Sequence, residues 1–365
     1  MEYRELGRTG KKLSVLSLGC GRLPTDDEEA GALVSRAIDL GINYVEGCWA
    51  YCDQRCEQKI RIGIQGKRDK VYVSTKSEIK PETTADDLKQ CFEESLKRLD
   101  VDYVDFYQTW GYNAAAWDAM MKPGGALDVL EDYKSQGLIR HIGMTSHETN
   151  ENVFAGLKTG RFESATIIYN MLDRSKEPVI EYAAENGIGI VVMVPLAGGL
   201  LATPSHILSE LTPGQQSSTV ETSLRFLLSN PHITTIPSGM TNIPELEENF
   251  RICNSYRPFT PEEMTASIKA LEEYHALGKQ FCTGCRYCMP CPSGVDIPGL
   301  FQIRNYNKVF GLVDWAERSY KALDAAALPS NCTECGQCEE KCPNNIRIIE
   351  QLKEVSSIFD GIRSE

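Results

Sequence analysis

Eight of the fourteen cysteines in this chain of 365 residues form two short runs near its C-terminus. The runs are Cys282, Cys285, Cys288, Cys291 and Cys332, Cys335, Cys338, Cys342, and a proline follows each. The second run has the spacing C-x2-C-x2-C-x3-C-P, with which bacterial ferredoxins hold a pair of [4Fe-4S] clusters. Three thiolates on one tight turn can each bind one corner of a cubane. The two runs therefore predict two [4Fe-4S] clusters and a protein that transfers electrons.

The fourth ligand of each cluster is predicted to come from the other run, because the cysteine before proline in two-cluster ferredoxins binds the partner cluster. One cluster is assigned to Cys282, Cys285, Cys288 and Cys342, and the other to Cys332, Cys335, Cys338 and Cys291. The first run departs from the bacterial pattern, since two residues rather than three precede its last cysteine. Zinc sites also use C-x2-C pairs, but one zinc ion takes only four ligands. The spacing favours iron–sulfur clusters.

Composition and charge narrow the class of protein. The net charge of −13 argues against nucleic acid as a partner, because phosphate binding needs a basic face. No stretch approaches the roughly 18 consecutive apolar residues of a membrane span, so no membrane partner is expected. The opening residues MEYRELGRTGKKL contain no apolar leader segment. A cytoplasmic protein with reduced thiols rather than disulfides is therefore expected.

The elements upstream of the cysteine runs alternate short apolar segments with longer amphipathic ones. Eight strand–helix units within about 240 residues predict an α/β fold of the (β/α)8 TIM-barrel type. The predicted strands are 13–19, 43–47, 71–76, 102–110, 141–146, 164–170, 189–196 and 233–239. A hairpin with its turn at Thr9–Gly10 is expected to cap the lower end of the barrel.

Three segments follow from this reading. They are a barrel at 1–260, a linker helix at 261–277, and a small α-rich, ferredoxin-like domain at 278–365 that ends in a helix within 344–361.

Four other cysteines lie near the ends of predicted strands. Cys20 and Cys48 end the first two strands, and Cys52 and Cys56 follow in the next loop. Barrel active sites lie at the carboxyl ends of the strands, so these four thiols are predicted to hold a third [4Fe-4S] cluster there. The alternatives are scattered buried cysteines, a zinc site, and a radical S-adenosylmethionine motif, whose C-x3-C-x2-C spacing differs from the spacing found here.

Four segments resemble the aldo-keto reductase family. They are YRELGRTG at the start, YVSTK on strand three, PLAGG on strand seven, and IPSGMTNIPELEENF at the end of the barrel. The cysteine-rich tail resembles the ferredoxin-like extension of one branch of that family. In the family a Tyr protonates the carbonyl oxygen while hydride arrives from NADPH. A Lys paired with an Asp lowers the pKa of that Tyr, and a His orients the carbonyl.

The resemblance implies a role for four residues of this chain. Tyr51 falls at the position of the acid, Lys76 at the Lys and Glu46 at the Asp, while Trp110 replaces the His. A glutamate can still pair with Lys76 and keep it charged. An indole donates one hydrogen bond but cannot accept a proton. Trp110 is therefore expected to shape the pocket rather than to replace the His.

The resemblance also implies a dinucleotide site. Its candidate residues are Ser146 and Tyr169 at the nicotinamide end, and Ser238, Gly239, Asn242 and Asn249 at the phosphate end. No Arg or Lys occurs between Thr234 and Phe250, so a 2′-phosphate lacks its usual cation. Alternatively, Asn242 is only an N-cap, with Glu245 three residues on. The sequence leaves NAD(P)H binding open.

The leading functional hypothesis is a reductase of a small organic substrate. A soluble donor such as a ferredoxin or flavodoxin would pass electrons through the two C-terminal clusters to the barrel, where Tyr51 would donate a proton. The alternative is an NAD(P)H-dependent aldo-keto reductase with accessory clusters. A non-catalytic electron carrier is a third hypothesis, and it would not need Tyr51 and Lys76.

Overall fold

The computed structural model describes residues 1–110, 116–202, 218–277, 288–308, 311–342, 346–359 and 361–362. The chain forms two compact units. The first consists of Met1–Leu200 and Val220–Phe259, and the second of Leu201–Thr219 and Thr260–Glu365. The helix predicted as a linker, residues 261–277, belongs to the second unit.

An antiparallel hairpin opens the first unit. Its strands are β1 (Tyr3–Glu5) and β2 (Lys12–Ser14). The predicted turn at Thr9–Gly10 is longer than expected, because Gly7–Thr9 form a 3-10 turn and Gly10, at φ 68°, closes it. The Arg4 guanidinium donates to the carbonyl of Ile233, which begins the last barrel strand. The hairpin therefore covers the amino end of the barrel, as predicted.

Eight parallel strands close into a barrel and confirm the predicted fold. They are β3 (Leu16–Gly19), β4 (Tyr44–Glu46), β5 (Tyr72–Glu78), β6 (Val104–Trp110), β7 (Ile139–Ser146), β8 (Ser164–Ile168), β9 (Gly189–Met193) and β10 (Ile233–Ser238). Each strand pairs with its neighbour in sequence, and β10 pairs with β3 to complete the circle.

Helices surround the barrel and bury the outer faces of its strands. Within the described residues they are α1 (Asp27–Asp39), α2 (Cys56–Ile64), α3 (Ala85–Leu99), α4 (Trp117–Met121), α5 (Ala126–Ser135), α6 (Asn150–Leu157), α7 (Glu177–Glu185), α8 (Thr219–Leu228) and α9 (Ile243–Ser255). Helix α3 shows why these segments form: Leu88, Phe92 and Leu99 share its buried face. A capping box between Thr84 and Asp87 begins it.

The second unit is helical and has its own apolar core. Its described helices are α10 (Pro261–Leu277), α11 (Ile297–Lys308), α12 (Val313–Lys321), α13 (Gln337–Glu340) and α14 (Ile348–Phe359). Phe301, Tyr320 and Phe359 are among the largest side chains of that core. Several of the predicted cluster cysteines pack against it. Helix α14 lies within the segment predicted for the last helix.

Across the described ranges, no helix is both long and apolar enough to cross a membrane.

Candidate active site

A lysine–glutamate ion pair is buried at the carboxyl ends of two neighbouring strands. Glu46 is the last residue of β4, and Lys76 lies in β5. Lys76 Nζ donates to Glu46 Oε1 at 2.6 Å, and both side chains are buried. The turn after β4 carries Tyr51, whose ring centroid lies 5.3 Å from Lys76 Nζ. The fold therefore brings together the three residues predicted for proton transfer.

Tyr51 is a neutral phenol beside a buried cation. Burial raises the pKa of Tyr51 above its ordinary value of 10.0, although the Lys76 ammonium acts in the opposite direction. Burial acts to lower the pKa of Lys76, but Glu46, Tyr51 and Cys48 together outweigh burial, and the pKa lies above its ordinary value of 10.5. Tyr51 can therefore give up a proton next to a positive charge that is itself not lost.

A glutamine in β6, Gln108, connects the ion pair to the far wall of the barrel. Its Nε2 donates to Glu46 Oε2 at 2.9 Å, and its Oε1 accepts from Thr145 and Thr166 at 2.6 Å each. The hydroxyl of Tyr44 also donates to Glu46 Oε2, at 3.1 Å. Sequence reasoning missed Gln108. The available signal was its position two residues before Trp110, which places both on the same face of β6.

Trp110, the last residue of β6, lies beside the predicted acid. Its ring meets the Tyr51 ring edge to face, with centroids 6.1 Å apart and an interplanar angle of 65°. The side chain is half-buried. The indole thus forms one wall next to Tyr51, and it can donate only a single hydrogen bond there.

Two of the four barrel thiols meet at one backbone carbonyl. Cys52 Sγ lies 3.4 Å, and Cys56 Sγ 3.3 Å, from the carbonyl oxygen of Cys20. The interaction between these two thiols lowers the pKa of Cys52 and raises that of Cys56. Cys20 Sγ instead contacts the carbonyl of Leu18, at 3.7 Å, and Cys48 Sγ contacts the carbonyl of Lys76, at 3.6 Å. Of the four thiols predicted to converge, only those of Cys52 and Cys56 therefore share an acceptor.

Single-ion metal sites find no support in the part of the chain that the structure describes. No set of three or more Cys, His, Asp or Glu side chains there is arranged to hold a metal ion. Thiolates around one zinc ion lie about 4 Å apart, whereas those of a cubane each bind a different iron and lie farther apart. The zinc alternative therefore gains no support from the described residues, and the third cluster stays a prediction.

The second unit gathers cysteines from both runs around one cavity. Cys288 and Cys291 of the first run line it together with Cys332, Cys335 and Cys338 of the second. The rest of the lining is mixed, with apolar side chains such as Ile297 and Leu352 beside polar ones such as Gln337 and Lys341. Cys342 packs against the apolar core, and Cys282 and Cys285 lie outside the described residues. Thiols of both runs thus share one cavity, and the crossed ligation stays a prediction.

Comparison with known proteins identifies both units. Residues 15–273 match the model of the aldo/keto reductase family. The chain belongs to the aldo/keto reductase family. Residues 281–346 match a 4Fe-4S dicluster domain. This aldo/keto reductase therefore carries a C-terminal iron–sulfur domain, and both results confirm the family predicted from sequence.

Relatives of the barrel are oxidoreductases. An uncharacterized oxidoreductase of Bacillus subtilis (strain 168) is 28% identical over 306 residues, which are 75% of this chain and 96% of the relative. L-galactose dehydrogenase of Arabidopsis thaliana is 25% identical over 304 residues, or 75% of this chain and 95% of that enzyme. An aldo-keto reductase from Bacillus halodurans, solved in its holo form, matches with a TM-score of 0.67, 26% identity, and coverage of 74% of this chain and 96% of its own. This reductase is an oxidoreductase.

The predicted phosphate end of a dinucleotide site is engaged in helix capping. Asn242 Oδ1 accepts from the Glu245 N–H at 2.9 Å, and the Glu245 carboxylate accepts from the Thr241 N–H at 2.8 Å. Ser238 Oγ accepts from Asn249 Nδ2 at 3.1 Å inside the protein. A phosphate would need these N–H groups, and it would meet the Glu245 carboxylate. The segment fits a cap and does not fit a 2′-phosphate.

The predicted nicotinamide end is also engaged in contacts within the barrel. The Tyr169 ring stacks on Phe226 with centroids 5.9 Å apart, and its hydroxyl donates to Glu177 Oε1 at 3.0 Å. Ser146 Oγ is buried and accepts from the Glu148 N–H at 3.1 Å. At both predicted ends, the candidate residues are therefore engaged with protein groups rather than arranged as a cradle for a dinucleotide.

Arg22 is a cation that sequence reasoning missed at this edge of the barrel. A Cβ added to Gly239 would lie 3.7 Å from Arg22 Cδ, so the arginine stem packs over that glycine. The signal was available, since Arg22 follows the first strand and the last strand of a closed barrel pairs with the first. Arg22 thus brings a cationic side chain to the edge of the barrel where the phosphate end was predicted.

His147 follows β7 and is exposed at the carboxyl end of the barrel. Partial burial and the Lys76 ammonium both lower its pKa below the ordinary 6.5. The imidazole is therefore neutral at pH 7 and can donate or accept a hydrogen bond.

Proposed function

We propose that this chain reduces a small organic substrate at the mouth of the barrel, with Tyr51 as the proton donor and electrons supplied through the C-terminal iron–sulfur domain. The observation that carries the proposal is the buried Lys76–Glu46 pair beneath Tyr51. A buried ion pair beside a tyrosine suits proton transfer, and a protein that only carried electrons would not need it. The proposed donor is a small soluble protein such as a ferredoxin or flavodoxin.

The residues of the chain define the chemistry at the substrate. Tyr51 gives its proton to the substrate oxygen on which negative charge develops. The Lys76 ammonium stabilises the tyrosinate that remains, and Glu46 keeps that ammonium charged and in place. Positioned proton transfer of this kind contributes about 10²–10⁴-fold to a rate. Trp110 packs against Tyr51 and excludes water from one side of the phenol.

The C-terminal domain would hold its clusters with Cys288, Cys291, Cys332, Cys335, Cys338 and Cys342, joined by Cys282 and Cys285. When bound, such clusters accept and release single electrons. The apolar core beside these cysteines would shield the clusters from water.

The test is a comparison of Tyr51→Phe with Tyr182→Phe. Tyr182 lies on helix α7 and packs on Phe154, away from the site. Both proteins are purified anaerobically, reduced, and mixed with a panel of small aldehydes and ketones. Substrate-dependent reoxidation should fall about 10²–10⁴-fold in Tyr51→Phe and stay unchanged in Tyr182→Phe, with equal iron content. Equal reoxidation in both variants would rule Tyr51 out as the donor.

A second candidate is an NAD(P)H-dependent reductase with accessory clusters. Family membership favours it, and Arg22 supplies a cation near Gly239. The capped phosphate end counts against it. Titration with NADH and NADPH under anaerobic conditions separates the two: tight binding with hydride transfer to a carbonyl would favour the second candidate.

The predicted third cluster on Cys20, Cys48, Cys52 and Cys56 is tested by counting iron. Two clusters give about eight irons per chain, and three give about twelve. The shared contact of the Cys52 and Cys56 thiols speaks for the prediction, and the separate contacts of the Cys20 and Cys48 thiols speak against it.

A further inference from the structure

The turn that follows Tyr51 folds two cysteines onto each other. The Cys56 N–H donates to the Tyr51 carbonyl at 3.2 Å and so closes the turn. Cys52, Asp53 and Gln54 all have positive φ, at 53°, 53° and 65°. Three successive non-glycine residues in the left-handed region are costly, and such conformations concentrate at functional segments.

The sulfurs of Cys52 and Cys56 meet at one atom. Both contact the carbonyl oxygen of Cys20, at 3.4 and 3.3 Å. Hydrogen bonds from the Arg55 N–H to the Cys52 carbonyl, at 3.1 Å, and from the Cys56 N–H to the Tyr51 carbonyl, at 3.2 Å, close the turn between the two cysteines. A disulfide needs Cα atoms about 4.4–6.8 Å apart, and a closed turn of this length is compatible with that separation.

The surroundings give the two thiols different roles. Cys52 is partly exposed, whereas Cys56 is fully buried. Cys52 is therefore placed to attack a molecule from solution, and Cys56 to attack Cys52 afterwards.

We propose that Cys52 and Cys56 form a reversible dithiol–disulfide site that reacts with low-molecular-weight disulfides such as glutathione disulfide. The Cys52 thiolate attacks one sulfur of the small disulfide, whose S–S bond breaks and releases one thiolate. Cys56 then loses its proton to solvent, attacks the Cys52 sulfur and releases the second thiolate. The protein loses two electrons and two protons, and the small disulfide leaves as two thiols.

Oxidation would change the segment that carries the predicted acid. Tyr51 directly precedes Cys52, and its carbonyl closes the same turn. A covalent bond between Cys52 and Cys56 locks this turn beside the barrel mouth. The site itself does not depend on the proposed function, because its covalent state can be read without any substrate.

The test is peptide mapping of the anaerobically purified, cluster-loaded chain after treatment with glutathione disulfide. Free thiols are alkylated and the protein is digested with trypsin, which cleaves after Arg55 and Lys59. A Cys52–Cys56 bond joins peptide 37–55 to peptide 56–59, and dithiothreitol separates them. Fragment spectra distinguish Cys52 from Cys48, which lies in the same peptide. Cys91 is also partly exposed but hydrogen-bonds to Ser77. It serves as the control thiol, which should stay reduced and therefore be alkylated.

Single variants separate the two roles. Cys56→Ala should stop at a mixed disulfide of Cys52 with glutathione, whereas Cys52→Ala should give neither that adduct nor the linked peptides. Cys48→Ala should still form the link. Full alkylation of both cysteines in the treated protein, or a link from Cys56 to Cys20 or Cys48, would overturn the proposal. So would protection of Cys52 and Cys56 from alkylation together with about four extra irons, the sign of a third cluster. These peptide results do not depend on whether Tyr51 acts as the proton donor.

Discussion

At the scale of single residues, the surroundings of Tyr51, the predicted acid, determine its protonation state. Tyr51 keeps its proton because burial raises its pKa, and Lys76 limits that increase. The Glu46 side chain is one methylene longer than the family's aspartate, yet it reaches Lys76 at 2.6 Å while its second oxygen accepts from Gln108. The substitution of Glu for Asp therefore retains the ion pair, and Trp110 in place of the family's His is the larger departure.

The direction of the Tyr51 shift predicts a pH dependence. A proton donor must be protonated, and the pKa of Tyr51 lies above 10.0. The single-turnover rate of substrate reduction should therefore be flat from pH 7 to 9 and should decline only as the pH rises past the pKa of Tyr51. Stopped-flow reoxidation of the reduced protein across this range is the measurement. A rate that already halves below pH 8 would mean that a group other than Tyr51 supplies the proton.

Removal of the lysine should cost stability as well as activity. Lys76→Met leaves Glu46 as a buried carboxylate without its cation, and breaking a buried ion pair in this way costs about 3–5 kcal/mol. The double variant Lys76→Met, Glu46→Gln should recover part of that loss but none of the activity. Thermal unfolding of both variants, followed by far-ultraviolet circular dichroism, measures the difference. A single variant as stable as the parent would mean that water reaches Glu46.

At the scale of elements, the sequence located the strands better than their ends. All eight predicted strands are present, because alternating apolar and amphipathic segments record burial on the two sides of a barrel wall. The seventh was predicted to continue to Leu196 but ends at Met193, since Val194 has a φ of 58°. A left-handed residue leaves no trace in hydrophobic periodicity.

Side-chain directions within the site could be predicted only where a strand sets them. Lys76 and Trp110 lie on strands, and their placement at the barrel mouth follows from strand alternation. Cys52 lies in a turn with three positive φ values and Cys56 follows it, so the sequence could not tell that both thiols contact the Cys20 carbonyl while Cys48 does not. The position of Gln108 on the same face of β6 as Trp110 could be predicted, but its hydrogen bonds to Glu46, Thr145 and Thr166 could not, because those residues lie on other strands.

The Gln108 network predicts a large effect from one buried amide. Gln108→Leu keeps a similar volume but leaves one oxygen of Glu46 and the hydroxyls of Thr145 and Thr166 without this partner. Each buried polar group left unsatisfied costs about 1–3 kcal/mol. Gln90 is exposed on α3, where it bonds to Glu94, so Gln90→Leu should change stability by less than about 0.5 kcal/mol. Similar melting temperatures for the two variants would show that the network has little energetic weight.

The hydrogen bonds of Glu163 to neighbouring elements predict that the stability of the barrel falls in acid. Burial alone would raise the pKa of Glu163, but hydrogen bonds from His141, Lys134 and the Ile142 N–H lower it to about 2 from 4.5. A lowered carboxylate pKa adds stability above pH 4.5, and that stability disappears as the pH falls toward 2. Glu163→Gln should therefore lose up to roughly 3 kcal/mol at pH 7. Urea unfolding measures the difference in unfolding free energy between variant and parent, and this difference should vanish on acidification. A difference that did not change with pH would show that it comes from packing rather than from the charge of Glu163.

At the scale of the whole molecule, two units divide the chemistry. The relatives cover three quarters of this chain and almost all of their own length, and the dicluster match begins after the barrel. The barrel contains the residues proposed for proton transfer, and the second unit contains thiols set against an apolar core of its own. Each unit has its own core, so loss of a cluster ligand should change iron content without unfolding the barrel.

The crossed ligation can be tested by asking whether the iron losses of two single variants add up in the double variant. If Cys291 and Cys338 bind the same cluster, then Cys291→Ala, Cys338→Ala and the double variant should each lose the same cluster, about four of about eight irons. If Cys291 instead binds with its own run, the double variant should lose both clusters, because each substitution removes a ligand from a different one. Iron and sulfide are quantified in anaerobically purified protein, and electron paramagnetic resonance of the reduced form shows whether magnetic coupling between two clusters disappears in each single variant. Cys253→Ala serves as the matched control, since Cys253 is buried in the barrel unit and should leave the iron content unchanged.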